Sequence, residues 1–480
     1  MVGLHSMLFT SYRYGVYVFV AFALVWLVAR YLRRPRPNAA LLLILSYAFY
    51  ALWDWRWCLL LAAITVSGYA GGLWLDARRE QRAQRLRLAL LVVFNLCILG
   101  AFKYFDFFAG SFARLVAHVG LHVDAITLGL ILPIGISYYT FQNLSYIIDV
   151  YRRTESPTRD VVTFACSLAF FPQLLAGPIT RPRDLIPQFA RRRDFDSDLA
   201  RDGLRQILWG LMKKMVIADN IGVRVDAVWA GRGHANSLEV LIAALLYSVQ
   251  IYCDFSGYAD IAIGTAKLFN VRLSPNFAYP YFAVGIRAFW RRWHMTLSSW
   301  ARDYIYISLG GNRVSRWRRS ANVMLTFLAI GLWHGADWTF IVWGALHGVY
   351  NMVETAFGRS KARTPKLTPW WKSLCWGLLT FACVTFAWVF FRAPTLPAAL
   401  TFLSRLVVAP AALATYRPFL PWLLASAGLF SYEWFTRRWE HGLAVGGFPL
   451  SVRWLAYLSA CLVLLLTGYL GSRSGIYVQF

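Results

Sequence analysis

Eight histidines occur in the 480-residue chain, and their surroundings sort them. His5, His118, His122, His234 and His441 lie in terminal or loop sequence and are expected to be solvated. His294, His334 and His347 lie in or against apolar segments, where a polar ring needs a partner or a purpose. In "AIGLWHGADW" (329–338), Gly331 and Gly335 flank His334 and permit backbone bending or the close approach of another group. An ionisable group held at membrane depth is a functional candidate by default. The same ring could instead be a core histidine hydrogen-bonded across a helix pair, and the local sequence leaves both readings open. His347 follows thirteen residues later, about 220° round an ideal helix. It should therefore not share a face with His334, and a structural role is expected.

His294 belongs to "RAFWRRWHMTLSSWARDYIYISLGGNR" (287–313). At helical spacing Trp290, Trp293, His294, Leu297, Trp300 and Ala301 form one stripe, with Arg291 and Arg292 to one side. Such a helix could lie at the headgroup boundary, or turn inward and use its arginines on phosphate or carboxylate. "LGGNR" (309–313) is a turn with a glycine pair, and no Walker pattern accompanies it. "CDFSGYAD" (253–260) puts Asp254 and Asp260 within an apolar run, where each is expected to pair with an arginine or cap a broken helix. No G-x-S-x-G elbow and no H-E-x-x-H motif occur. Seven scattered cysteines without C-x-x-C spacing point to neither a metal site nor a disulfide framework.

The elements that must position these residues are apolar. Hydrophobic residues make up 58% of the chain and charged ones only 15%, and runs of membrane-spanning length recur. The reading is an all-α polytopic membrane protein; a β-barrel would need short alternating strands. The formal net charge of +26 would suggest nucleic acid in a soluble protein. Here the basic residues fall in short blocks between apolar runs, such as 33–36, 78–87, 181–193 and 316–319, which is the pattern of cytoplasmic loops, so no nucleic-acid partner is expected.

Spans are expected near 14–32, 39–53, 57–75, 88–105 and 125–149, with the N-terminus outside and the first run a retained helix rather than a signal peptide. The piece 161–178, basic on both flanks and holding Pro172 and Pro178, reads as a re-entrant hairpin surrounded by protein. An amphipathic stretch follows near 197–218, then an apolar region 238–269 interrupted at 253–260. Further spans are expected near 322–350, 370–391, 399–413, 419–435 and 452–471. The total is eleven or twelve membrane segments in a single integral domain, 1–480. Chemistry must then occur within or at the edge of the membrane. A transporter whose histidines and acids line a polar pathway is the reading from another class.

Four ordered motifs narrow this. "LPIGISYYTFQNLSYIIDVYR" (132–152), "YCDFSGYADIAIG" (252–264), "FWRRWHMTLSSWARDYIYISLGGNR" (289–313) and "GLWHG" (331–335) together resemble the membrane-bound O-acyltransferases. The likeness is to the bacterial branch concerned with alginate O-acetylation and D-alanylation of lipoteichoic acid. It runs from about residue 40 to 350 and is strongest over 132–350, with "FAWVFFRA" (386–393) and "GIYVQF" (475–480) also typical.

The resemblance implies membrane helices around a central tunnel, with His334 as the catalytic histidine and His294 as the second. It implies acyl transfer from a cytoplasmic donor to a hydroxyl on the outer side of the bacterial inner membrane. His334 would act as base, and His294 would orient the donor or polarise its carbonyl. Trp290, Trp293 and Trp333 would wall the passage, and Arg291, Arg292, Arg302 and Arg313 would receive the phosphates of acetyl-CoA. Asp303 would hold Arg302, while Asn312, Asp254 and Ser256 complete the candidate set. No bound cofactor or metal is expected. An acyl carrier protein is the alternative donor, and a periplasmic acetyl-handling partner or the glycan itself the acceptor. Alginate or cellulose is the expected glycan, with peptidoglycan O-acetylation and teichoic acid D-alanylation as alternatives.

Overall fold

The computed structural model describes residues 8–476 except 33, 77–79, 122, 176, 358–368, 409, 411–412, 470 and 472–474. Among the described residues the regular structure is entirely helical. Among the described residues six helical runs are long and apolar enough to cross a membrane: Tyr12–Tyr31, Pro35–Asp76, Gln81–Lys103, Ser237–Leu268, Trp370–Arg392 and Leu450–Thr467. The chain packs as two compact units, Met1–Leu204 with Ala262–Ser274 and Tyr477–Phe480, and Arg205–Ile261 with Pro275–Ile476.

In the first unit the run Pro35–Asp76 is two helices joined at Asp54, whose backbone is extended (φ −163°, ψ 117°). The Asp54 carboxylate stabilises the break by accepting from the Arg56 amide at 2.9 Å. This matches the expected pair of spans, 39–53 and 57–75. Polar glue joins three helices: the Asn143 amide donates to Asn95 Oδ1 (2.9 Å) and to Ser67 Oγ (3.0 Å).

The expected span 125–149 is corrected. Its helix begins only at Ile136, and residues 123–131 form an exposed chain without regular structure. Gly129 and Gly135 take φ of +59° and +80°, and the Asp106 carboxylate accepts the amides of Leu128 and Gly129. Apolar composition alone had concealed these breaks. The 161–178 piece is two short buried helices, Val161–Ala169 and Phe171–Leu174, parted at Phe170 with Pro172 opening the second. Neither is long enough to cross a bilayer.

Ser237–Leu268, whose residues up to Ile261 belong to the second unit, is one continuous 32-residue helix, so the interruption expected at 253–260 is absent. It runs through protein, with 78% of its most apolar window buried, and its acids find partners on a neighbouring element instead of breaking the helix. Glycine makes the approach possible: a Cβ on Gly257 would lie 2.8 Å from the Gly210 carbonyl oxygen.

The expected single span 322–350 is a hairpin, Arg316–His334 and Trp338–Ala356. Ser315 caps the first helix and Asp337 the second, its carboxylate accepting from Thr339 N at 2.9 Å. The two backbones touch through glycine. A Cβ on Gly331 would strike the Phe340 carbonyl oxygen, and one on Gly344 would strike that of Phe327. Gly344→Val should therefore force the hairpin apart and cost about 1–3 kcal/mol. The check is the thermal unfolding midpoint of the purified protein in detergent; an unchanged midpoint would refute this packing.

Candidate active site

The hairpin delivers His334 at the last position of its first helix, with the ring 1% exposed. Its neighbours are aromatic: Trp333 at 4.9 Å between centroids, Trp343 at 5.1 Å and Phe391 at 5.2 Å. The His294 ring, fully buried, lies 6.2 Å away and 5.8 Å from Trp333, with Phe255 edge-on at 4.7 Å. The two imidazoles are thus brought together, in a box with little access for water.

The 287–313 segment is a broken helix, so the expected continuous amphipathic helix is corrected. It consists of Ile286–Trp290, Met295–Ala301 and a π-turn Arg302–Tyr306. His294 sits at the break with φ +41°, a conformation uncommon for residues other than glycine, which the surrounding structure must hold in place. Trp290, Trp293, His294, Leu297, Trp300 and Ala301 are all buried. That stripe faces protein and not headgroups.

For His347 the expected structural role stands, but the expected separation from His334 assumed one continuous helix. Because 322–350 folds back on itself, His334 and His347 both pack on Trp343, at 5.1 and 4.9 Å. Trp290 Nε1–H donates to His347 Nδ1 at 3.2 Å, so the neutral ring carries its proton on Nε2 and holds Trp290. His441, expected to be solvated, is buried and its Nδ1 accepts from Leu443 N at 3.2 Å. His118 and His234 are exposed as expected, and His5 and His122 lie outside the described residues.

Next to the box is a cavity of about 1340 Å³. Trp290, Met295, Phe327 and Ile330 form its apolar wall, so the residue after His294 and the turn before His334 both face it. Of the expected residues Trp290, Arg291, Arg302 and Asn312 line it. Asp303 holds Arg302 through a 2.7 Å hydrogen bond, as expected, and Tyr306 donates to Asn312 Oδ1 at 2.7 Å. Arg287, Arg316 and Arg319 line it too and were missed. Arg316 and Arg319 had been absorbed into the loop-charge pattern, although their i,i+3 spacing at a helix start puts them on one face.

Arg292, Arg313, Trp293 and Trp333 are not among the described lining residues. Trp293 is fully buried, stacked on Phe289 at 5.5 Å and tilted against Trp388 at 4.9 Å, so it is core and not wall.

Asp254 and Ser256 belong to a separate buried network. The π-turn Met212–Ala218 puts adjacent lysines to different partners. Lys213 pairs with Asp260 at 2.6 Å and donates to Ser256 Oγ at 2.8 Å. Lys214 bridges Asp219 and Asp254, the latter at 2.7 Å. Asp254 also accepts from the Ile476 amide at 2.7 Å, and Asp260 from Gln206 at 2.8 Å. The partners are lysines, where arginines were expected.

Fold and site together define a polytopic helical membrane protein with two sequestered imidazoles beside a cationic cavity. The model of the MBOAT, membrane-bound O-acyltransferase family, matches residues 161–391. The chain is 42% identical over 395 residues to the probable alginate O-acetylase AlgI of Pseudomonas aeruginosa, covering 82% of this chain and 73% of that protein. It is 36% identical over 414 residues to the peptidoglycan O-acetyltransferase of Helicobacter pylori (81% and 77% covered). Against the teichoic acid D-alanyltransferase of Bacillus subtilis the identity is 29% over 274 residues (54% and 67% covered). The chain belongs to the membrane-bound O-acyltransferase family, and it is a multi-pass O-acyltransferase.

Lys214→Met should strand Asp219 and Asp254 in the interior, a loss of about 3–5 kcal/mol. Folded protein recovered from membranes should fall sharply, and less for Asp260→Asn at the network's partly exposed edge. Equal recovery of Lys214→Met and wild type would contradict the structural role.

Proposed function

We propose that the protein is a bacterial inner-membrane O-acetyltransferase that takes acetyl groups from acetyl-CoA on the cytoplasmic side. It passes them outward for O-acetylation of an exopolysaccharide such as alginate or cellulose, directly or through a periplasmic acetyl-handling partner. The observation that carries this reading is the buried pair His334 and His294 beside a cavity lined by Arg287, Arg291, Arg302, Arg316 and Arg319. Guanidinium groups suit the multiple phosphates of coenzyme A, which they bind through two parallel hydrogen bonds. The apolar wall of Trp290, Met295 and Phe327 suits the uncharged acyl end. The 42% identity to a protein named for alginate O-acetylation favours a glycan acceptor.

In the reaction His334 takes the acceptor hydroxyl's proton as the oxygen attacks the thioester carbonyl. The carbon–sulfur bond breaks, the ester forms, and the departing thiolate receives the proton. His294, 6.2 Å away, helps to position the reacting groups. A base of this kind contributes on the order of 10²–10⁴-fold. Exclusion of water protects the thioester from hydrolysis.

Proteoliposomes supplied with labelled acetyl-CoA and glycan should give acetylated product, with His334→Ala losing at least about 100-fold in rate. Arg316→Gln and Arg319→Gln should each raise the KM for acetyl-CoA about tenfold with kcat little changed. Transfer from an acyl carrier protein thioester but not from acetyl-CoA would overturn the donor assignment. Solute flux without any transfer would favour a transporter.

A further inference from the structure

His294 sits at a helix break with φ +41°, and something must fix both its backbone and its ring. The short segment before it does both. Met295 N donates to the Asn276 carbonyl at 2.9 Å, and Ala278 N donates to the Arg292 carbonyl at 3.0 Å. These two bonds clamp residues 292–295 from either side.

The Asn276 side chain then reaches the ring. Its Oδ1 accepts from Thr296 N at 3.3 Å and from Thr296 Oγ at 2.9 Å, and lies 3.1 Å from His294 Nδ1. Thr296 N is a donor only, so the atom at this position is the amide oxygen and not its nitrogen. An oxygen that accepts from Thr296 can meet His294 Nδ1 only as an acceptor. The proton of the neutral ring is therefore on Nδ1, and the lone pair is on Nε2. Asn276 is 1% exposed, His294 fully buried, and water does not compete for the bond.

We infer that Asn276 is a positioning residue, which sets the tautomer of His294 so that Nε2, the nitrogen turned away from Asn276, offers a lone pair to the reacting groups. The inference rests on the proposed acyl transfer. With Nε2 unprotonated, His294 acts there as a hydrogen-bond acceptor, for the acceptor hydroxyl or for a proton passed from it. As an acceptor Nε2 cannot hydrogen-bond the thioester carbonyl oxygen, so His294 acts on the hydroxyl side of the reaction. The opposite tautomer would turn an N–H toward the reacting groups and remove the acceptor. Phe255, Trp333 and His334 also pack around the ring, and His334 among them is titratable.

The experiment compares Asn276→Leu, Asn276→Asp and Thr296→Val with wild type in proteoliposomes, using acetyl-CoA and glycan and recording kcat, KM and the rate against pH. Asn276→Leu keeps the shape and removes the acceptor. It should lower kcat on the order of 100-fold with the KM for acetyl-CoA nearly unchanged. Thr296→Val removes a neighbouring bond without touching the ring and should stay within about threefold of wild type. Asn276→Asp keeps the acceptor and should retain most of kcat. Its carboxylate would stabilise the protonated ring, so the acidic limb of the rate profile should move up by about one pH unit or more. Equal losses in Asn276→Leu and Thr296→Val would reduce Asn276 to a structural clamp and overturn the inference. Should Asn276→Leu fail to fold, an acidic limb left unmoved by Asn276→Asp would overturn it instead. If wild type transfers nothing, the proposed function falls and this inference with it. If wild type transfers and His334→Ala does not, the result for Asn276 stands or falls by itself.

Discussion

A polar group withdrawn from both water and lipid has to find its partner inside the chain, and most of this structure follows from that constraint. Asn143 meets Asn95 and Ser67, so three helices of the first unit are held in register. Lys213 and Lys214 meet Asp260 and Asp254, which ties a π-turn to the long Ser237–Leu268 helix. Trp290 meets His347, and His294 meets Asn276. Each pairing costs desolvation and returns it only when the geometry is good, so positions are specified more tightly than apolar contact alone would require.

The same constraint divides the site into a dry part and a charged part. The imidazoles are enclosed by Trp333, Trp343, Phe255 and Phe391, where a neutral base keeps its lone pair. The arginines keep to the neighbouring cavity, where they are partly exposed and can exchange water for an anion. Under the proposed function, a thioester that bridges the two parts would have its charged end held while its reactive end is shielded. Neither part could do this alone.

Much of this was legible in the residues. The helical class, most of the spans and the apolar surroundings of His334 and His294 follow from apolar run length, loop charge and the ordered motifs. What stayed hidden depended on contacts distant in sequence. Hydropathy reads 322–350 as one span, because the break at Gly335–Asp337 is short and the contact of Gly331 with Phe340 is visible only in three dimensions. Asp254 and Asp260 read as helix breakers because the lysines that neutralise them lie some forty residues earlier. Arg316 and Arg319 looked like topology signals, and Asn276 carried no motif. Its role depends on where Thr296 and His294 place their donors.

The Ser237–Leu268 helix has a mechanical consequence. Thirty-two residues at about 1.5 Å each make a rod of about 48 Å, against a hydrocarbon core of about 30 Å. A lone helix would relieve such mismatch by tilting, but this one is enclosed along most of its length and cannot tilt by itself. Its inclination is therefore set by the neighbours that enclose it, and the packing around Asp254 and Asp260 decides how much of the rod a bilayer of given thickness covers.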